Sequence, residues 1–202
     1  MSKKLTADDY ARAAEELGVP VASIRAVTEV ESKGDGFLPD GRPVILFERH
    51  IMYRQVRDKF GGARAQQEFE RHPDICNPTA GGYGKVSEQP NRMGKAAGEI
   101  DRECALQSAS WGLFQVMGFH WQTLGYESLQ KFVNAMYRSE GDQLDAFVRF
   151  IKSNPAIHKA LKARDWAAFA KGYNGPAYAQ NQYDTKLAAA FARHSTAPER
   201  SV

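Results

Sequence analysis

Apolar side chains recur at three- and four-residue spacing through almost the whole of this 202-residue chain, and one stretch breaks that rhythm. The exception is Pro43-Val44-Ile45-Leu46-Phe47, a short apolar run with two β-branched residues, set behind the turn signal Pro39-Asp40-Gly41. A chain patterned in this way is expected to be mainly α-helical with one small β-hairpin. Thr6 can cap a first helix, with Asp9 in the reciprocal position of a capping box and Gly18 ending it. Pro20 opens a second helix, which runs to about Ser32 and stops before Gly34 and Gly36. Helix resumes near His50, anchored by Ile51, Val56 and Phe60, and closes at Gly61-Gly62.

Residues 72–95 hold three prolines and four glycines and read as a long irregular segment. Segments of that length are more often functional than connective. Helix returns from Lys95, then over Ser128 to Arg138, Asp142 to Ser153, a short piece from Pro155, a piece marked by Trp166, Phe169 and Tyr173, and a last one from Pro176 to about Arg193. Residues 194–202 read as a frayed tail. No internal repeat or linker is visible, so residues 1–202 are taken as one domain with its core over about 6–193.

Composition narrows the function classes. Apolar residues make up 43% and charged residues 25%, enough for a core without metal or disulfide staples. The formal charge of +3 favours an anionic partner but lacks the dense basic stripe of a nucleic-acid binder. Cys76 and Cys104 follow no metal-ligand spacing and read as two free thiols. The polar start Met-Ser-Lys-Lys-Leu lacks an apolar h-region, so a signal peptide is not expected, and no segment reaches the apolar length of a bilayer span.

Two carboxylates stand out. On a helical wheel centred on Ile24, Pro20, Val21, Val27 and Thr28 fall on one side, and Glu31 lies roughly 20° from the centre of that apolar stripe. Glu29 lies roughly 140° round, toward solvent. A carboxylate on a core-facing stripe is costly unless paired or protonated. The last turn of a helix also disfavours negative charge. Both effects push Glu31 toward keeping its proton, as a general acid requires. The alternative is an ordinary helix-terminal glutamate bonded to a backbone amide or an arginine. Glu48 ends the apolar run and shares a strand face with Val44 and Leu46. It is either a second reacting carboxylate or part of a network with Arg49, Arg42 or His50. Glycoside hydrolysis uses such a pair.

These residues resemble a known family. Val27-Thr28-Glu29-Val30-Glu31-Ser32-Lys33-Gly34, Gly36-Phe37-Leu38, Asp40-Gly41-Arg42-Pro43 and Ile45-Leu46-Phe47-Glu48-Arg49-His50 are similar to the phage endolysin N-acetylmuramidases once called DUF3380. The likeness continues through Ser108-Ala109-Ser110-Trp111-Gly112-Leu113-Phe114-Gln115-Val116-Met117-Gly118, then Tyr173-Asn174-Gly175-Pro176 with Tyr178, Asn181 and Tyr183. It spans about residues 8 to 193, with a more distant echo of goose-type lysozymes and soluble lytic transglycosylases. The resemblance implies a lysozyme-like helical domain whose two catalytic glutamates are Glu31 and Glu48. It also implies cleavage of the β-1,4 bond between N-acetylmuramic acid and N-acetylglucosamine in peptidoglycan, for host cell lysis.

Ser110, Trp111, Gly112, Phe114 and Gln115 are then candidates for a wall of the sugar-binding cleft. Gly112 permits close backbone approach, and Gln115 offers both a donor and an acceptor. Trp111 and Phe114 read equally as core. Tyr173 needs a partner for its hydroxyl and is a candidate at the cleft near Glu31, with Asn174 beside it. Asn174-Gly175 is also a plain helix stop. Ser32 and His50 are read as supporting neighbours of the two acids. No HExxH-like spacing points to a metal, and Ser32 lacks the setting of a serine nucleophile.

No metal or organic cofactor is expected. The expected partner is the glycan strand, without nucleic acid or stable membrane insertion, and the protein is expected to be monomeric. The last helix is mildly cationic and amphipathic, and its apolar side is expected to pack on the domain. A separate wall-binding module is not expected. The protein is expected to be made in the host cytoplasm and to reach the wall after a holin-like agent opens the membrane. Two rivals remain: a lytic transglycosylase, which closes a 1,6-anhydro ring, and a wall-binding protein without catalysis.

Overall fold

The computed structural model describes residues 3–32 and 34–196, without the side chains of 176–178. In chain order the helices are α1 (Ala7–Leu17), α2 (Val21–Glu31), α3 (Arg49–Phe60), α4 (Gly62–Arg71), α5 (Gln89–Glu99) and α6 (Arg102–Gln107). They continue as α7 (Leu129–Arg138), α8 (Glu140–Ser153), α9 (Pro155–Ala163), α10 (Trp166–Asn174) and α11 (Tyr183–Thr196). Three short strands, β1 (Ile45–Phe47), β2 (Ala109–Trp111) and β3 (Val116–Met117), form an antiparallel sheet in the order β1-β2-β3. The molecule is thus mainly helical, as the spacing of its apolar residues requires. No helix among the described residues is long and apolar enough to cross a membrane.

The chain divides into two compact units, Met1–Gly34 with Glu140–Val202, and Asp35–Ser139. In the first, α1 begins on the expected capping box: the Asp9 amide donates to Thr6 Oγ1, and the Thr6 amide donates to Asp9 Oδ2. Gly18 ends α1 in the left-handed conformation at φ 64°. Pro20 caps α2, and Ser32 closes it by donating its amide to the Thr28 carbonyl. Ile24 and Val27 of the expected stripe are fully buried, Pro20 at its start is exposed and Val21 only half-buried, and Ala26 on the opposite side of α2 is fully buried as well. α11 packs along α2 and buries Leu187 and Ala190, so its apolar side belongs to the core as expected. α11 extends to Thr196, which makes residues 194–196 helical rather than frayed. The rest of the expected tail lies outside the described residues. Between α10 and α11 the chain makes a 3-10 segment, Pro176–Asn181, instead of continuous helix. Gln182 at φ 54° separates the two.

In the second unit Pro39-Asp40-Gly41 turns the chain as its composition dictates. The Leu38 amide donates to the Arg42 carbonyl at 2.7 Å, and Phe37 bridges Pro43 in an antiparallel sense. The strand that follows does not pair within this hairpin. Ile45 faces Trp111 and Phe47 faces Ala109, more than sixty positions along the chain. Short-range periodicity could not show this, because the pairing depends on a distant strand only three residues long, with a serine at its centre.

Further departures concern helix ends. α4 starts at Gly62, directly after the Gly61 stop, where an irregular chain was expected only from residue 72. α5 starts at Gln89 rather than Lys95, with Pro90 in its first turn, and Asp101 recaps the chain into α6 by accepting the Cys104 amide at 2.8 Å. Phe60 is 45% exposed and anchors nothing, whereas Ile51 and Val56 are buried. Cys76 and Cys104 are free, buried thiols, each pushed up to about 12 by burial first.

Candidate active site

Glu31 is the last residue of α2 and is half-buried. Its Oε1 accepts a hydrogen bond from Asn174 Nδ2 at 2.9 Å. Asn174 is itself the last residue of α10, so two helix C-termini meet at this carboxyl. Carbonyl ends of helices disfavour negative charge, and Asn174 brings a neutral amide to the carboxyl. The bond engages Oε1 of the carboxyl.

Tyr173 stacks on Phe169, with rings 5.9 Å apart and 10° from parallel, and meets Phe147 and Phe150 edge-on. Burial, and after it the charge of Glu31, push its phenol above the ordinary value of 10.0. The structure therefore brings Tyr173, Asn174 and Glu31 together. Glu29 points elsewhere, as the wheel required: it is exposed and paired with Arg193 and with His194 Nε2, the latter at 2.8 Å.

Glu48 lies at the junction of β1 and α3. Its amide donates to the Ser108 carbonyl at 2.9 Å, and its own carbonyl accepts the Met52 amide. Its side chain is 16% exposed, and Oε2 lies 3.3 Å from His50 Nδ1. Neither atom is aligned for a hydrogen bond, and both are buried. The pair is a close contact with unspent polar capacity, costly to keep in a folded core and common at reactive sites. Arg49 turns away to the carbonyls of Thr79, Pro73 and Ala80. Arg42 is bound to Asp40 and Asn91. Of the three structural partners weighed for Glu48, only His50 is beside it.

The irregular segment after α4 returns to Glu48. Burial, and then the neighbouring Glu48 carboxylate, raise the Tyr83 phenol above its ordinary value, which places that hydroxyl against the acid. Three side chains hold the segment. Arg92 donates to the carbonyls of Tyr83 and Asp74, each at 2.7 Å. Gln89, fully buried, donates to the Tyr83 and Lys85 carbonyls and accepts the Phe47 amide. Arg49 is the third, and Gly82 packs so closely on its guanidinium that a Cβ there would come within 2.9 Å. None of Tyr83, Gln89 or Arg92 was picked out by sequence reasoning. The signal available was the glycine- and proline-rich composition of the segment, which marks where a loop is but not which side chains fasten it.

The segment 110–115 is a closed turn between β2 and β3. Ser110 Oγ donates to Gln115 Oε1 at 2.7 Å, and Gln115 Nε2 donates to the Gly112 carbonyl at 2.8 Å. The Gly112 amide is given to the Val44 carbonyl at 2.7 Å, with Gly112 at φ 69°. The glycine is needed for the turn, and its amide is not left for a sugar. Trp111 and Phe114 are 1% and 3% exposed, and Trp111 Nε1 donates to the Leu106 carbonyl. These two rings belong to the core rather than to an exposed sugar platform. By strand alternation Ser110 shares the sheet face of Leu46 and Met117, opposite that of Trp111. Ser32 acts as the cap of α2.

Residues 20–195 match the N-acetylmuramidase family. The chain belongs to that family. Among solved structures it is similar to that of the Burkholderia AP3 phage endolysin, with 49% identity and a TM-score of 0.92, over 98% of this chain and 74% of that one. Among curated proteins nothing matches. As a muramidase the chain is a lysozyme-type glycoside hydrolase acting on peptidoglycan. Its mainly helical fold with a small antiparallel sheet is the endolysin fold.

Proposed function

We propose that this muramidase is a phage endolysin that hydrolyses the β-1,4 bond between N-acetylmuramic acid and N-acetylglucosamine, with Glu31 as general acid. The observation that carries the assignment is the Asn174–Glu31 hydrogen bond. A half-buried carboxyl at a helix end, oriented by a neutral donor, suits proton delivery to a glycosidic oxygen. Glu48 is assigned as the second carboxylate, acting on water as a base or offsetting the charge of the oxocarbenium ion. His50 and Tyr83 flank it and restrict its rotamer.

The protein reaches the wall through a membrane opened by a separate, holin-like agent. The glycan strand is its partner, and it acts as a monomer. Mass spectrometry of muropeptides released from purified sacculi tests the bond and the mechanism together. Reducing N-acetylmuramic acid ends are expected. Predominant 1,6-anhydro ends would make the protein a lytic transglycosylase, and sedimentation with sacculi without any release would make it a binding protein only.

A further inference from the structure

A groove of about 340 Å³ opens on the second unit beside α6 and α7, with Leu106, Val133 and the Trp111 ring among the residues that line it. Trp111 lies on the sheet face opposite Ser110 and Leu46, so the groove is away from the strand face of Leu46. Its rim is polar and ordered. Arg102 donates to Gln130 Oε1, and Gln130 Nε2 donates to Asn134 Oδ1 at 2.7 Å. Gln130, Asn134 and Tyr137 follow at spacings of four and three and so form one exposed strip of α7.

Three features of this rim ask for a ligand. Every hydrogen bond along it runs in one direction, so the row ends on the Asn134 Nδ2 group, which donates to nothing among the described residues. Arg102 meets only a neutral amide, has no carboxylate within ion-pair distance among the described residues, and the groove itself is lined by no acid. Tyr137 is 40% exposed, one of three large hydrophobic side chains so exposed among the described residues, and its ring lies 6.3 Å from that of Trp111. An exposed aromatic face beside a row of donors and an unpaired guanidinium matches a sugar that carries an amide and a carboxylate. The apolar face of the ring covers the phenol, the N-acetyl oxygen meets Asn134, and the carboxylate meets Arg102.

We infer that this groove is a second, non-catalytic binding site for an acidic N-acetylated sugar of the wall, a muramyl unit bearing its lactyl or peptide carboxylate. The inference rests on the reading that the protein acts on peptidoglycan, and it adds a place on the second unit where uncut wall is held.

N-acetylmuramyl dipeptide is the probe, titrated into the full-length Glu31→Gln protein and followed by NMR. Saturable shifts of the Tyr137 ring and of the Asn134 side-chain amide are expected. Arg102→Ala should weaken binding about tenfold, as for loss of a charged hydrogen bond. Tyr137→Ala should weaken it about fivefold while Tyr137→Phe stays near wild type, since the ring face and not the hydroxyl does the work. Neutral chitotriose should bind at this site more weakly than the acidic probe. Shifts confined to Asn174 and Tyr173, no saturation, or equal affinity in Tyr137→Ala would overturn the inference, as would equal binding of chitotriose. Wild-type release of muropeptides, measured alongside, separates the two readings. If walls are cut and Tyr137 does not respond, only the second site falls. If walls are not cut, the proposed function falls and the inference with it.

Discussion

Asn174 Nδ2 donates to Glu31 Oε1 at 2.9 Å across 143 positions of sequence, joining the ends of two helices. Loss of such a bond to a carboxyl costs about 1.5–3 kcal/mol where its full value is used in the transition state. Asn174→Ala should therefore lower kcat on sacculi by about tenfold or more, with KM nearly unchanged and far-UV circular dichroism intact. Glu31→Gln should remove a factor of roughly 10² to 10⁴, the contribution of a general acid. Equal, small effects from both would mean that Glu31 does not transfer a proton.

Glu29 gives the control. It is exposed and paired with Arg193 and His194 on the outside of α11. Burial is the largest single influence and opposes its ionisation, but the hydrogen bonds from Arg193 and His194 together outweigh it and hold the carboxyl below 4.5. Exposed pairs contribute about 0–1 kcal/mol. Glu29→Gln should keep wall-clearing within about twofold of wild type and shift thermal stability only slightly.

The loop over Glu48 depends on few fasteners. Arg92→Ala removes donors from the Tyr83 and Asp74 carbonyls and should cost about 1–3 kcal/mol. Limited proteolysis should then nick the chain between residues 72 and 88, where the wild type resists, and activity should fall with the freed Tyr83. An unchanged cleavage pattern would show that Gln89 and Arg49 suffice.

Where a signal is local, the sequence carried it. The Thr6–Asp9 box, the Gly18 stop and the burial of Ile24, Val27 and Thr28 are local features that the structure repeats, although Pro20 of the same face is exposed and Ala26 opposite it is buried. The same wheel separated Glu31 from Glu29, and the two now have quite different surroundings. What the sequence hid depends on distant partners. Nothing near Ile45 says that it will pair with Trp111, and nothing near Asn174 says that a helix stop will bond a glutamate. Trp111 and Phe114 look the same in sequence whether they line a sugar site or fill a core, because an aromatic ring serves both. Gln115 was noticed for its two-sided amide, and that property closes its own turn.

Asp101 links the break between α5 and α6 to acid stability. Burial opposes ionisation, yet the Cys104 amide and Lys59 outweigh it and hold the carboxyl below its ordinary 3.8. A depressed value stabilises the fold at pH above 3.8, and that contribution is lost as pH falls through the lower folded value. Asp101→Ala should cost about 1 kcal/mol at neutral pH, as for other lost helix caps. In urea titrations the gap between variant and wild type should narrow only below pH 3.8. A gap that is constant down to pH 2, on the order of one to two units lower, would assign the loss to packing instead.

The unit that holds Glu31 is assembled from the first stretch of the chain and the last, with 105 residues of another unit synthesised in between (35 to 139). On the ribosome, α2 emerges long before α10 and α11 exist to meet it. Its acid stays unoriented until translation has passed Asn174, and its apolar face stays uncovered until Leu187 and Ala190 arrive. On the proposed role of Glu31, a chain terminated before Asn174 would lack the partner that orients its acid and would not cut the wall.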